Sequence, residues 1–131
     1  MLNSNIVGNI GELKAVDYLL RLGYFCYTAT FGNGPVDLIA LKEEKLLKIE
    51  CKSSNTIVKT KTGDKCNVQL RSVRYNRNKL DSRKFDGSKS DLCFIWVEPF
   101  NSMYIYESKN LHGRTGIALR RDTLQLNTTL L

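Results

Sequence analysis

The sequence predicts an α/β domain, a mixed central β-sheet flanked by helices, with the whole chain from residue 1 to 131 forming one domain. Three observations lead there. An apolar stripe at helical spacing runs from Ile10 to Leu22 and stops at Gly23; Val36 to Leu41 and Leu46 to Cys51 are strand-length apolar runs around the polar turn Lys42-Glu43-Glu44-Lys45. Asp91 to Val97 is a third, continuous apolar run, short enough for a buried strand. A chain of 131 residues suffices for a single core.

Taken in order, Ser4 or Asn5 is positioned to cap a helix whose stripe is Ile10, Leu13, Ala15, Val16, Leu19, Leu20 and Leu22. Glu12 lies off that stripe, where a first-turn acid is also favoured by the helix dipole. Tyr24 to Phe31 reads as a strand beside the helix, and Phe31-Gly32-Asn33-Gly34-Pro35 as a loop whose glycines would let a phosphate approach. The hairpin follows. Beyond Lys52, Thr56 to Lys61 and Lys65 to Leu70 alternate β-branched and basic residues around Thr62-Gly63-Asp64, which predicts a second, more exposed hairpin. Such a ribbon fits the major groove of DNA, with Lys59, Lys61, Lys65 and Gln69 as phosphate or base contacts; it equally fits an edge hairpin kept soluble by lysines. Arg71 to Phe85 interleaves Arg71, Arg74, Arg77, Arg83 and Lys84 with aromatic and short polar residues, the pattern of a segment gripping a nucleic-acid backbone or of a solvated loop. Asp91 to Val97 should pair with Met103 to Tyr106 across Pro99-Phe100-Asn101-Ser102, with Tyr104 and Tyr106 on one face in a structural role. His112 is too isolated for general-base work and reads as a polar loop residue. Ile117 to Arg121 is a last short strand or arm, and the tail from Gln125 is expected to be loose.

The net charge of +7 has a local origin. Between Lys59 and Lys89 stand ten Lys or Arg against three Asp, an excess equal to that of the entire chain, which points to a nucleic-acid partner held by one segment. Four cysteines, at 26, 51, 66 and 93, form no Cys-x-x-Cys pair and have one histidine to complement them, so neither a zinc site nor disulfides are expected. No membrane span and no signal peptide are legible, and a cytoplasmic protein is expected.

The chemistry is concentrated between Gly34 and Ser54. Along the strand Leu46 to Cys51, alternation puts Lys48, Glu50 and Lys52 on one face and Leu47, Ile49 and Cys51 on the other. Asp37, at the start of the preceding strand, can lie across the ladder from Glu50 and Lys52. Two carboxylates and an ammonium then converge at a strand end. Close carboxylates raise each other's pKa, and a divalent cation relieves that repulsion using both as hard oxygen ligands, magnesium being the natural candidate. A lysine there can orient a nucleophilic water and offset charge building on a phosphate, which is phosphodiester-hydrolysis chemistry.

Gly34-Pro35-Val36-Asp37 followed by Glu50-Cys51-Lys52 resembles the PD-(D/E)XK nuclease superfamily, with Pro35 standing one place early. Gly8-Asn9-Ile10-Gly11-Glu12 resembles the helix start that many members place upstream. Beyond the core, the order of Arg83 to Asp86, Ser90 to Trp96, Met103 to Tyr106 and Ile117 to Arg120 resembles the small endonucleases associated with group I introns, which are homing endonucleases. The resemblance implies a restriction-endonuclease-like fold and a Mg2+-dependent endonuclease, with Mn2+ able to substitute, acting on double-stranded DNA. It implies Asp37, Glu50 and the Cys51 carbonyl as metal ligands, Glu12 at a second ion or a water, and Lys52 positioning the nucleophile. One site cuts one strand, so a double-strand break calls for a homodimer or higher homo-oligomer, in a bacterial or phage-like setting. Archaeal Holliday junction resolvases resemble Glu12, Asp37, Glu50 and Lys52 equally well, and a non-catalytic DNA-binding module with vestigial acids is the reading of another class.

Overall fold

The computed structural model describes residues 2–31, 34–76, 79–121 and 131. Helix α1 spans Ser4–Arg21 and is followed by strands β1 (Phe25–Tyr27), β2 (Leu38–Lys42), β3 (Lys45–Ser54), β4 (Ile57–Thr60) and β5 (Gly63–Gln69). Then come β6 (Ser72–Asn76), β7 (Lys79–Arg83), β8 (Leu92–Val97), β9 (Ser102–Glu107) and β10 (Gly116–Arg120). The helix cap is Asn3 rather than Ser4 or Asn5: its side chain accepts from the Ile6 N–H at 3.0 Å, and the two expected caps are already helical. At the other end Gly23 takes φ 92, as the expected stop requires.

The central sheet has the order β1-β2-β3-β8-β9. It is mixed because β3 and β8 run parallel while the other neighbours are antiparallel. The β2–β3 hairpin turns at Glu43-Glu44, with Glu43 in the left-handed region at φ 55 and Lys42 opposite Lys45. Strand β1 is shorter than the sequence suggested: Tyr24 leaves the ladder to close the helix, its N–H bonding the Leu19 carbonyl at 3.0 Å.

Strand β8 is buried along its whole length and divides two cores, which is why it reads as an unbroken apolar run. Leu92, Phe94 and Trp96 face α1 together with Leu38, Ala40, Ile49, Met103 and Ile105. Cys93, Ile95 and Val97 face a second cluster containing Cys66, Val68, Leu70, Phe85, Tyr104, Leu111 and Leu119. That second core adds detail to the expected architecture and corrects one expectation about a hairpin. Among the described residues α1 is the one α-helix, and the opposite face of the sheet is covered not by another helix but by a three-stranded sheet, β10-β5-β4. The Thr56 to Leu70 hairpin is therefore only half exposed, since Cys66, Val68 and Leu70 are buried beneath it. Arg71 to Phe85 contains a further antiparallel hairpin, β6–β7. The tail from Gln125 to residue 130, along with Gly32 and Asn33 of the loop, lies outside the described residues.

The helix packs through most of the expected stripe, with Ala15 and Leu19 buried and Ile10, Val16 and Leu22 against the core, but two of its leucines turn outward. Val7, Gly11, Ala15 and Leu19 are buried, whereas Leu13 and Leu20 are 69% and 53% exposed. A row of small residues lets the axis approach a sheet closely. A Cβ built on Gly11 would stand 3.1 Å from the Trp96 Cβ and 3.3 Å from the Ser53 Cβ, while one on Gly8 would meet only the Ser53 hydroxyl at 3.7 Å. Gly11→Val should therefore lower unfolding free energy by about 1–3 kcal/mol through overpacking. Gly8→Ala should raise it by about 0.5–1 kcal/mol through helix propensity. Urea titration of both variants distinguishes the two signs.

Candidate active site

Strand β2 begins at Leu38, opposite Ile49, so the last five residues of β3 have no β2 partner. Beyond that point the free edge of β3 is taken by a side chain: the Asp37 carboxylate accepts the Cys51 N–H at 2.7 Å. A buried strand edge needs an acceptor there, and a carboxylate supplies a strong one. The hydrogen bond ties Asp37 to the same three-residue stretch that carries Glu50 and Lys52.

On its other edge β3 pairs with β8, which sets Glu50 beside Cys93 and Lys52 beside Ile95. Both side chains thus emerge on the face of the second core, while Ile49 and Cys51 pack with the helix-side core. Glu12, next to the closely packed Gly11, comes from the helix side. Burial raises the Glu12 pKa and the Asp37 charge raises it further. Glu50 behaves alike: burial pushes it up, Asp37 adds to the shift, and Lys52 and Lys89 pull it back. The Cys51 thiol is driven far up, first by burial and then by Asp37, Glu12 and Glu50, so all three carboxylates act on one point. Burial likewise pushes Cys93 up to about 12, and the four cysteines are free thiols.

Glu50 opens into a cleft of 170 Å³ lined also by Gly34, Pro35, Ser72, Arg83, Lys84, Phe85, Asp86 and Lys89. Glu50 and Asp86 share the cleft with Arg83, Lys84 and Lys89, cations that suit a phosphate held near carboxylates.

Among the described residues no three His, Cys, Asp or Glu side chains are grouped closely enough to cage a metal. The donor set nonetheless fits a hard cation. Magnesium keeps several waters and needs only one or two carboxylates plus substrate oxygens, and a cation would relieve the repulsion that Asp37 exerts on Glu12 and Glu50.

The residues expected to grip DNA are divided by the structure. Arg83 and Lys84 line the cleft. Lys65 and Gln69 share one face of β5 with Asn67, and Gln69 and Asn67 line a groove of 510 Å³ with Thr56, Arg114 and Gly116. Lys59 falls on the other face, opposite Asp64, and Lys61 sits in the turn. Arg71 donates to the Ser82 hydroxyl at 3.3 Å. Arg74 is in β6, with its side chain outside the described residues, as is the whole of Arg77.

Lys89 was not singled out by sequence reasoning; the only signal was its membership of the basic segment. His112, expected to be a plain loop residue, instead accepts the Gly87 N–H on Nδ1 at 3.0 Å and lies 3.8 Å from Asp86.

A family model of PD-(D/E)XK endonucleases matches residues 2–127, and the chain belongs to that family. Among solved structures it is similar to a bacterial homing endonuclease, I-Ssp6803I, with a TM-score of 0.73 and 25% identity over 96% of this chain and 84% of that one. The architecture is accordingly the restriction-endonuclease-like fold. No curated protein sequence matches the chain. Among the described residues no helix is long and apolar enough to cross a membrane.

The raised Glu50 pKa has a consequence for metal-free protein. Well below the ordinary carboxylate range the folded and unfolded states are both protonated and the shift costs nothing. As pH rises from that range through the folded value, the native state must ionise a disfavoured carboxylate and loses stability relative to the unfolded chain. Glu50→Gln, which never ionises, should then be more stable than wild type at about pH 7 and nearly equal to it at about pH 3. Thermal melts with chelator at both pH values test this.

Proposed function

We propose that the protein is a magnesium-dependent endonuclease hydrolysing phosphodiester bonds in double-stranded DNA, specifically a sequence-specific homing endonuclease of the intron-associated kind. The observation that carries the reading is the Asp37 to Cys51 hydrogen bond, which gathers Asp37, Glu50 and Lys52 at the edge of β3, beside a cleft flanked by Lys84 and Lys89. The likeness to a bacterial homing endonuclease supports the finer assignment.

In this reading Asp37, Glu50 and the Cys51 carbonyl hold the ion, with Glu12 at a second ion or at a water. When bound, Mg2+ or Mn2+ would supply Lewis-acid stabilisation of charge on the phosphate. Lys52 orients the attacking water, since an ammonium on the same strand face as Glu50 can donate to it without competing for the cation. The basic segment holds the backbone, Gln69 and its neighbours on the outer face of β5 reach base edges, and two copies of the chain cut the two strands. The setting is the cytoplasm.

Asp37→Asn and Glu50→Gln should each reduce Mg2+-dependent cleavage by about 100-fold or more while DNA binding persists or tightens, because a negative group facing phosphate is lost. Lys52→Gln should be as inactive yet keep its metal affinity. The assay is a panel of linear duplexes, intron-less target alleles and four-way junctions. Cutting of junctions alone would replace homing by resolution, and metal-independent or absent cutting would leave a binding module.

The grip on DNA separates into two measurable parts. Lys65→Ala should lower the slope of log affinity against log salt by about 0.9 without altering sequence preference. Gln69→Ala should relax preference at one position by about 1–3 kcal/mol and leave the slope nearly unchanged. Binding to a duplex library at two salt concentrations reads both. A change in slope alone for both variants would remove base reading from this face.

A further inference from the structure

We propose that Lys89 is a second cationic group of the active site, holding the phosphate under attack from the wall of the cleft built by the turn after β7. This rests on the nuclease reading above and adds a residue that the acid-x-lysine motif does not contain. The cleft is the first ground: Glu50 and Lys89 line the same 170 Å³ space, so a phosphate entering beside Glu50 meets the Lys89 ammonium.

The second ground is the anchoring of the turn. Ahead of Lys89, Phe85 is buried and its N–H bonds the Arg114 carbonyl at 3.0 Å, while its own carbonyl accepts from Gly113 at 2.8 Å. Gly87 donates to His112, and there is no room for a Cβ on it, since the Ser108 carbonyl would lie 2.5 Å away. The Asp86 carboxylate accepts from the Ser88 N–H at 2.9 Å and from the Ser88 hydroxyl at 2.6 Å. Behind Lys89, the Ser90 and Ser108 hydroxyls bond at 2.7 Å inside the protein, and Asp91 is bonded through backbone and side chain to Lys48 of β3. An exposed lysine is thus tethered at a fixed point relative to β3, the strand that carries Glu50 and Lys52.

Among the described residues Lys89 forms no ion pair within 4.0 Å, so its charge is available to substrate. Its field reaches Glu50 together with that of Lys52. Asp37 and Glu50 repel an incoming phosphate, and an ammonium anchored beside Glu50 adds to Lys52 in offsetting the charge that builds on the phosphoryl oxygens. Lys89 forms no covalent bond and moves no proton in this role; it supplies a hydrogen-bonding charge.

The test is single-turnover nicking of supercoiled plasmid by the full chain with Mg2+ or Mn2+, alongside duplex binding with Ca2+ in place of the active ion. Lys89→Gln should cut about 10- to 100-fold more slowly while binding changes by less than about threefold, and Lys89→Arg should recover most of the rate. Cutting by Lys89→Gln within about twofold of wild type would overturn the assignment. So would equal losses in rate and affinity, which would make Lys89 one more backbone contact. Glu50→Gln run in parallel separates this failure from that of the nuclease reading: if it nicks as fast as wild type, or if wild type does not nick, the reading falls and Lys89 falls with it.

Discussion

One hydrogen bond governs the arrangement of the acids, that from the Cys51 N–H to the Asp37 carboxylate. β3 is the central strand, and along its first half it is satisfied on both edges by β2 and β8. Where the pairing with β2 stops, a backbone donor would face the interior unpaired, at a cost of about 1–3 kcal/mol. A carboxylate fills that place. The sheet therefore forks at the point where Glu50 and Lys52 leave it, and Asp37 is held in the plane between a helix-borne acid and a strand-borne one.

The fork works because β3 and β8 are fixed from both faces. Gly11 lets α1 come close to Ser53 and Trp96, and β5 and β10 close the opposite side over Cys93, Ile95 and Val97. The charged cluster thus sits at the seam between two apolar cores, where desolvation keeps Glu12 and Glu50 above their ordinary pKa values and the thiols of Cys51 and Cys93 protonated. Carboxylates held above their ordinary pKa values are ones whose charge a bound cation would offset.

Asp37, Glu50 and Lys52 lie close together in the chain, and for that reason their convergence was legible. Strand periodicity alone put Glu50 and Lys52 on one face, and a two-residue turn obliged Asp37 to return alongside them. The strand pair Leu92–Val97 with Ser102–Glu107 was legible for the same reason, since a short connection leaves few other pairings. These local patterns carried the resemblance to the family, and the match over residues 2–127 shows the membership.

What depends on distant contacts was not legible. The helix buries Val7 and Gly11 while exposing Leu13 and Leu20, because closeness of approach to the sheet outweighed side-chain size. Lys59 and Lys65 look equivalent in an alternating basic hairpin, yet the register that pairs Lys59 with Asp64 puts them on opposite faces, and packing over Cys66 and Val68 decides which of those faces is covered. Lys89 stands 39 positions from Glu50, and nothing in its neighbours announces the cleft they share. By itself the sequence determined the local β geometry that sets Glu50 and Lys52 on one face with Asp37 alongside, because side-chain alternation is intrinsic to a strand. Only the tertiary structure decided which helix face packs, which lysines share a surface and which cation meets Glu50, because these follow from long-range packing that no local period encodes.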